Sequence, residues 1–208
     1  MAALQRILPH GPLPIPVAEP SLMVMPNAAE RWTREKVWAL PDDGRRYELI
    51  DGELIVSPSP TGLHQVAVMA LIAQLKPFVD GSKVGKVLMS PADITLGEEE
   101  ILQPDLFVFR TVAGKPFRDW TDIASLLLVV EVLSPSTARY DRELKRRRYQ
   151  RAHVPEYWIV DLDGRVVERW RPEDARPEVL ADHLQWSPAG DVALDLDLVG
   201  CFAEVWGE

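Results

Sequence analysis

The run Leu126-Leu127-Leu128-Val129-Val130-Glu131-Val132-Leu133 constrains this chain more than any other stretch. An aliphatic segment of strand length with no polar alternation describes a strand covered on both faces. Glu131 sits inside it, and a lone buried carboxylate is costly unless it is paired or holds a metal. Upstream, Ile101-Leu102-Gln103-Pro104-Asp105-Leu106-Phe107-Val108-Phe109 is a second apolar strand interrupted by one acid, Asp105, directly after a proline. Two adjacent strands with one acid each can bring two carboxylates to one edge of a sheet. Downstream, Ser134-Pro135-Ser136-Thr137 offers hydroxyls that can cap a helix over residues 139–152. That helix carries Asp141, Lys145 and Tyr149 four residues apart, hence on one face. Asp, Glu and Lys converging on one point are the equipment for metal-assisted phosphodiester hydrolysis.

The remaining elements follow from local signals. Residues 1–26 carry Pro9, Pro12, Pro14, Pro16, Pro20 and Pro26 without helical or strand periodicity, which reads as an extended or disordered arm. Met23 and Met25 lie just before the first regular element, and either could be the native start of translation. Residues 27–208 then form a single domain, an ordinary size for one core. Thr33 caps a short helix over 34–40, which ends at Pro41. Asp51-Gly52, between two apolar segments, is a strong hairpin signal. Apolar residues at helical spacing predict a core-facing helix over 63–78. An interrupted strand over 87–96 leads into the Asp105 strand. The strand Glu156-Tyr157-Trp158-Ile159-Val160-Asp161 and a hairpin at Asp163-Gly164 follow the basic helix. Beyond Arg171 the pattern weakens to one strand and a short terminal helix over 192–205. The outline is an α/β sandwich around a mixed sheet.

Composition narrows the setting. Lys and Arg number 23 against 32 Asp and Glu, for a net charge of −9. Nucleic acid would therefore have to be met by a local basic patch rather than by the whole surface. One cysteine, Cys201, permits no internal disulfide and suits a reducing, cytoplasmic compartment. No uninterrupted apolar run has the length of a membrane span, so no membrane partner is expected.

Several motifs occur together in a recognisable order: Tyr47-Glu48-Leu49-Ile50-Asp51-Gly52-Glu53, His64, Gln103-Pro104-Asp105-Leu106, Glu131-Val132-Leu133-Ser134-Pro135-Ser136-Thr137, Asp141 with Lys145 and Tyr149, and Val154-Pro155-Glu156-Tyr157-Trp158-Ile159-Val160-Asp161. In this order they resemble the Uma-two family of restriction endonucleases, a branch of the PD-(D/E)XK nuclease superfamily. The resemblance implies a restriction-endonuclease-like core, a mixed β-sheet flanked by helices, with an N-terminal helix-hairpin and a C-terminal hairpin. It implies an endonuclease that hydrolyses DNA phosphodiester bonds with Mg²⁺, for which Mn²⁺ can substitute. By the same resemblance, Asp105 and Glu131 are side-chain ligands and the backbone carbonyl of Val132 is the third. Lys145 orients or deprotonates the water and offsets developing charge. Glu48 is an additional catalytic acid, and Tyr149 and His64 are accessory groups. A homodimer is implied by analogy, since two strands need two sites. The chain departs from the superfamily pattern where a lysine usually follows the second acid by two residues. That position is Leu133, which transfers the role to Lys145. His153 stands where relatives commonly have glycine.

Plainer readings stand beside these. Glu131 and Lys145 could form a buried ion pair, with Asp105 capping a turn after Pro104. Glu48 could be the cross-strand partner of a surface base such as Arg46. His64 could be a first-turn polar residue, Asp141 a helix-dipole partner and Asp93 a neighbour of the Asp105 strand. The segment 139–151 holds Arg139, Arg142, Lys145, Arg146, Arg147, Arg148 and Arg151. Its arginines, Arg142, Arg146 and Arg148 foremost, either track a nucleic-acid backbone or pair with acids elsewhere on the protein. A catalytically inactive nuclease-like module that binds nucleic acid or protein is the functional alternative.

Overall fold

The computed structural model describes residues 31–97, 99–190 and 192–208. The proline-rich arm and the alternative start methionines lie outside the described residues. Helix α1 (Arg34–Trp38) is capped by the Thr33 hydroxyl, which accepts from the Lys36 amide. Strands β1 (Arg46–Ile50) and β2 (Glu53–Ser57) pair as an antiparallel hairpin. Asp51 (φ 53°) and Gly52 (φ 83°) both take the left-handed conformation that a tight two-residue hairpin turn requires. Helix α2 (Gly62–Ser82) is capped by Thr61, whose hydroxyl accepts from the His64 amide.

The central sheet has six strands in the order β3 (Lys86–Met89), β4 (Leu106–Thr111), β5 (Ile123–Val132), β6 (Tyr157–Asp161), β7 (Val166–Trp170) and β8 (Glu178–Leu180). Only β5 and β6 are parallel. The connection between these two passes through a π-helical turn, Tyr140–Lys145, that runs directly into helix α3 (Arg146–Arg151). A second hairpin, β9 (His183–Ala189) with β10 (Val192–Asp197), precedes the terminal helix α4 (Leu198–Trp206).

Strand β5 is covered on both faces, as its aliphatic run requires. Leu128, Val130 and Val132 pack into one core with α2, α4 and Trp186. Val129 packs into a second core with Phe107, Tyr149, Tyr157 and Ile159. Side chains alternate along a strand, so Glu131 takes the Val129 side, the side that faces the π-helical turn. By length and composition α2 is long and apolar enough to cross a membrane, although Gln74, Lys76 and Asp80 interrupt its apolar run. Its packing is that of a core helix: Ala67, Val68, Leu71, Leu75 and Val79 are buried within the first core.

Two expectations about elements need correction. The strand over 87–96 ends at Met89, and Ile94 makes only an isolated bridge to Leu102. Beyond Arg171 there are three strands rather than one, because Leu184 and Trp186 of β9 alternate inward and close the first core.

Candidate active site

The hydrogen-bond register of the sheet brings the two strand acids together. Phe107 pairs with Val129 and Leu106 with Val130, so the next step of the antiparallel ladder sets Asp105 beside Glu131. The Val132 amide donates to Asp105 Oδ2 at 2.8 Å. Asp105 therefore caps no turn after Pro104; its carboxylate is fixed across the strands. The hairpin is held to the same place by reciprocal bonds between Leu49 and Ile101, at 2.8 and 2.9 Å. Glu48 Oε1 in turn accepts the Gln103 amide at 2.8 Å.

Four acids, Glu48, Asp105, Glu131 and Asp141, are all buried here. Together with Arg46, His64, Val132, Arg142 and Lys145 they line a pocket of about 680 Å³ whose rim includes residues 57–61 and 133–138. Lys145 Nζ lies 2.9 Å from Glu48, 3.1 Å from Glu131 and 3.3 Å from Asp141. The ion pair of the plainer reading is thus present, as one of three. Burial would lower the Lys145 ammonium, but Glu131, Glu48 and Asp141 outweigh it and push its pKa well above the usual range. As it stands Lys145 is a firmly held cation.

Asp105 has its own partners. Arg46 Nη1 donates to Oδ1 at 2.6 Å, and His64 Nε2 lies 2.9 Å from Oδ2. Burial would raise this carboxyl, but the His64 hydrogen bond and the Arg46 charge outweigh it and hold the group well below the usual carboxylate range. Glu131 goes the opposite way. Burial is the largest influence and pushes it well above its usual range, Lys145 opposes this, and Asp105, Asp141 and Glu48 reinforce it. Asp141 is also raised, chiefly by burial.

Two members of the cluster had not been expected. Arg46 was read as a surface base and a cross-strand partner for Glu48. It shares strand β1 with Glu48, points to the same face two residues away, and reaches Asp105. Strand alternation was the available signal. Asp141 shares a helix face with Lys145 and reads as a helix-dipole partner unless that face turns inward, which it does.

The other candidates separate clearly. His64 joins the site through Asp105, while its Nδ1 is buried without a hydrogen-bond partner. Tyr149 does not line the pocket. It is fully buried, stacks on Tyr157 at 4.9 Å and its hydroxyl makes no hydrogen bond, so it neither meets a phosphate nor fixes the lysine. Asp93 accepts from the Gln103 side chain at 2.7 Å and stays outside the pocket. Arg148 pairs with Glu100 and donates to the Leu96 carbonyl at 2.9 Å. Arg146 donates to the Arg142 carbonyl at 2.8 Å and lies over the Trp170 ring at 4.5 Å. Arg148 is thus pinned within the fold, whereas Arg146 is half-buried and has neutral partners. Arg142 alone of the three lines the pocket, 39% exposed and shared between Glu168 and Asp161.

Among the described residues no three His, Cys, Asp or Glu side chains are grouped to hold a metal as they stand, because Arg46 and Lys145 are interleaved with the acids. The donor set nonetheless fits a hard divalent ion: four carboxyl groups, all buried, are gathered on one pocket, and oxygen ligands are what such an ion takes.

Among curated proteins, none matches the chain. A crystal structure of "a putative nuclease belonging to DUF820" from Anabaena variabilis ATCC 29413 superposes with a TM-score of 0.67 at 19% identity, covering 84% of this chain and 99% of that one. The two share the fold, a mixed sheet flanked by helices. The Uma2 family model, described as "Putative restriction endonuclease", matches residues 34–198, most of the length. The chain belongs to the Uma2 family.

Proposed function

We propose that this chain is a divalent-metal-dependent endonuclease that hydrolyses DNA phosphodiester bonds. The observation that carries the reading is the gathering of four buried acids, Glu48, Asp105, Glu131 and Asp141, around Lys145 on one pocket, in a chain of a nuclease family. Asp105, Glu131 and the Val132 carbonyl would hold Mg²⁺ or Mn²⁺, whose oxygen preference they match. When bound, such an ion neutralises charge at phosphorus and lowers the pKa of a bound water.

The chain's own groups divide the remaining work. Lys145, kept protonated by three carboxylates, supplies a fixed positive charge against the developing negative charge of the transition state. Glu48 and Asp141 hold that ammonium in place, and the Gln103 amide fixes Glu48. His64 orients Asp105. Arg142, at the mouth, can exchange Glu168 and Asp161 for a phosphate of the substrate backbone. Cutting both strands of a duplex takes two such sites, which favours a homodimer, and light scattering of the purified protein tests it. The buried, unpaired Cys201 agrees with a reducing cytoplasmic setting.

The test is cleavage of linear, supercoiled and single-stranded DNA by purified protein with Mg²⁺ or Mn²⁺, beside Glu131→Ala and Lys145→Ala. Loss of cleavage in both supports the assignment; cleavage that survives both rejects it. A second reading, a non-cutting module that binds nucleic acid or protein, is favoured by the two protein cations lodged among the acids. Calorimetric titration with Mg²⁺ separates them, since a non-cutting scaffold gives no saturable site that Asp105→Ala abolishes.

A further inference from the structure

Two protein cations neutralise the acid cluster, and they are held very differently. Lys145 is 3% exposed and meets three carboxylates. Arg46 is 18% exposed and meets one carboxylate, at 2.6 Å, and the Gln103 carbonyl, while its Nε is buried with no hydrogen-bond partner. A guanidinium satisfied on one edge and orphaned at Nε is the more weakly anchored of the two. It also lines the pocket, so it has room to leave Asp105 without unfolding β1.

We propose that Arg46 is the internal counter-ion of Asp105 and that a divalent cation binds this carboxylate by exchanging with it. This rests on the reading of Asp105 and Glu131 as metal ligands, and assigns Arg46 a role toward them that Lys145 does not share. In the metal-free protein Arg46 balances the Asp105 carboxylate, which lies buried beside Glu131. On exchange the guanidinium is released into the pocket, where its planar fork is suited to a phosphodiester. Arg46 thereby sets the metal affinity of the site: every ion bound must first displace it.

The experiment is titration of the metal-free protein with MnCl₂, read by calorimetry and by the electron paramagnetic resonance of free Mn²⁺, with no substrate and no turnover. Arg46→Met is expected to tighten Mn²⁺ binding at least about tenfold, because the competing charge beside the ligand is gone. Arg142→Met removes an arginine of the same pocket that pairs with Asp161 and Glu168 instead, and is expected to leave the affinity within about twofold of wild type. Equal gains in both variants would mean general electrostatics and overturn the exchange, as would an Arg46→Met affinity equal to or below wild type. Arg46→Lys keeps a charge but cannot span Asp105 and the Gln103 carbonyl together. It gives the same comparison if Arg46→Met fails to fold, again with tighter binding expected. Failure of the underlying reading looks different: wild type then shows no saturable Mn²⁺ site, or one that Asp105→Asn leaves intact, and the exchange is rejected with it.

Discussion

Lys145 Nζ lies 2.9 Å from Glu48 Oε2, joining the π-helical turn to the first hairpin through a contact buried on both sides. π-Helical turns concentrate at functional sites, and this one ends at the lysine whose ammonium the acids share. The contact makes Lys145 a structural keystone as well as the cation proposed to face the substrate.

Lys145→Met should therefore be costly beyond its effect on cleavage. It leaves Glu48, Glu131 and Asp141 buried without their shared counter-ion. Removing one partner of a buried ion pair costs about 3–5 kcal/mol. Urea denaturation of the metal-free variant should show a loss of that order. A loss below about 1 kcal/mol would mean that the acids are not charged together in the native state.

Glu131→Gln should do the reverse. Glu131 is raised above its unfolded value mainly by burial, so the native state binds the extra proton and stability falls as pH rises through and above the ordinary carboxylate range. The amide removes that cost, while its oxygen still accepts from Lys145, and Glu48 and Asp141 remain as counter-ions. The metal-free variant should be more stable than wild type by on the order of 1 kcal/mol at pH 8, with the gap closing toward pH 4.5, and should not cleave DNA. Thermal melts across that pH range check the sign; a wild-type protein that is the more stable at pH 8 contradicts it.

Asp105 has the opposite linkage. Its folded pKa lies below the unfolded value, so it stabilises the fold above the ordinary Asp range and that contribution is lost as pH falls below it. The two strand acids thus oppose one another at acid pH, and Glu131→Gln removes one of the two raised carboxyls that oppose Asp105, leaving Asp141.

How far the sequence discloses this site depends on how each residue is carried. Glu131 is legible because an acid inside an aliphatic strand has no bland place to go. Asp105 and Glu48 sit beside strong local signals, a proline and an Asp-Gly turn. Arg46 and Asp141 were equally accessible to strand alternation and helical spacing, but each had a plausible solvent role, and nothing local says which face a charged residue shows. The π-helical turn leaves no signature in composition, and its wider winding is settled by how the chain packs on β5 and β6. Strand β9 is the harder case: His183-Leu184-Gln185-Trp186 alternates, but Pro188 falls inside the strand and weakens the signal.

His153 tests a site-independent feature of the same connection. It follows α3 with φ 52°, a left-handed conformation that costs a residue with a Cβ. His153→Gly should stabilise the protein by about 0.5–1 kcal/mol, and cleavage and Mn²⁺ binding should not change. Reduced stability would show that the histidine ring contributes packing larger than the backbone relief.

The basic segment gives the last prediction. Arg142 lines the pocket, is 39% exposed and is shared between two half-buried acids, whereas Arg148 is 13% exposed and pinned to Glu100 and the Leu96 carbonyl. Each phosphate neutralised on duplex DNA releases condensed counterions, and the slope of log K against log salt falls by about 0.9 per contact. Arg142→Met should therefore weaken DNA binding uniformly across sequences and reduce that slope by about one. Arg148→Met should leave the slope unchanged and instead destabilise the fold by about 1–3 kcal/mol, because Glu100 is left buried without its partner. Fluorescence anisotropy from 50 to 200 mM salt, with Ca²⁺ in place of Mg²⁺ to suppress cleavage, separates the two. A reduced slope in Arg148→Met with the fold intact would return that arginine to the nucleic-acid surface and move the binding face from the pocket mouth to the side of the helix nearer Glu100.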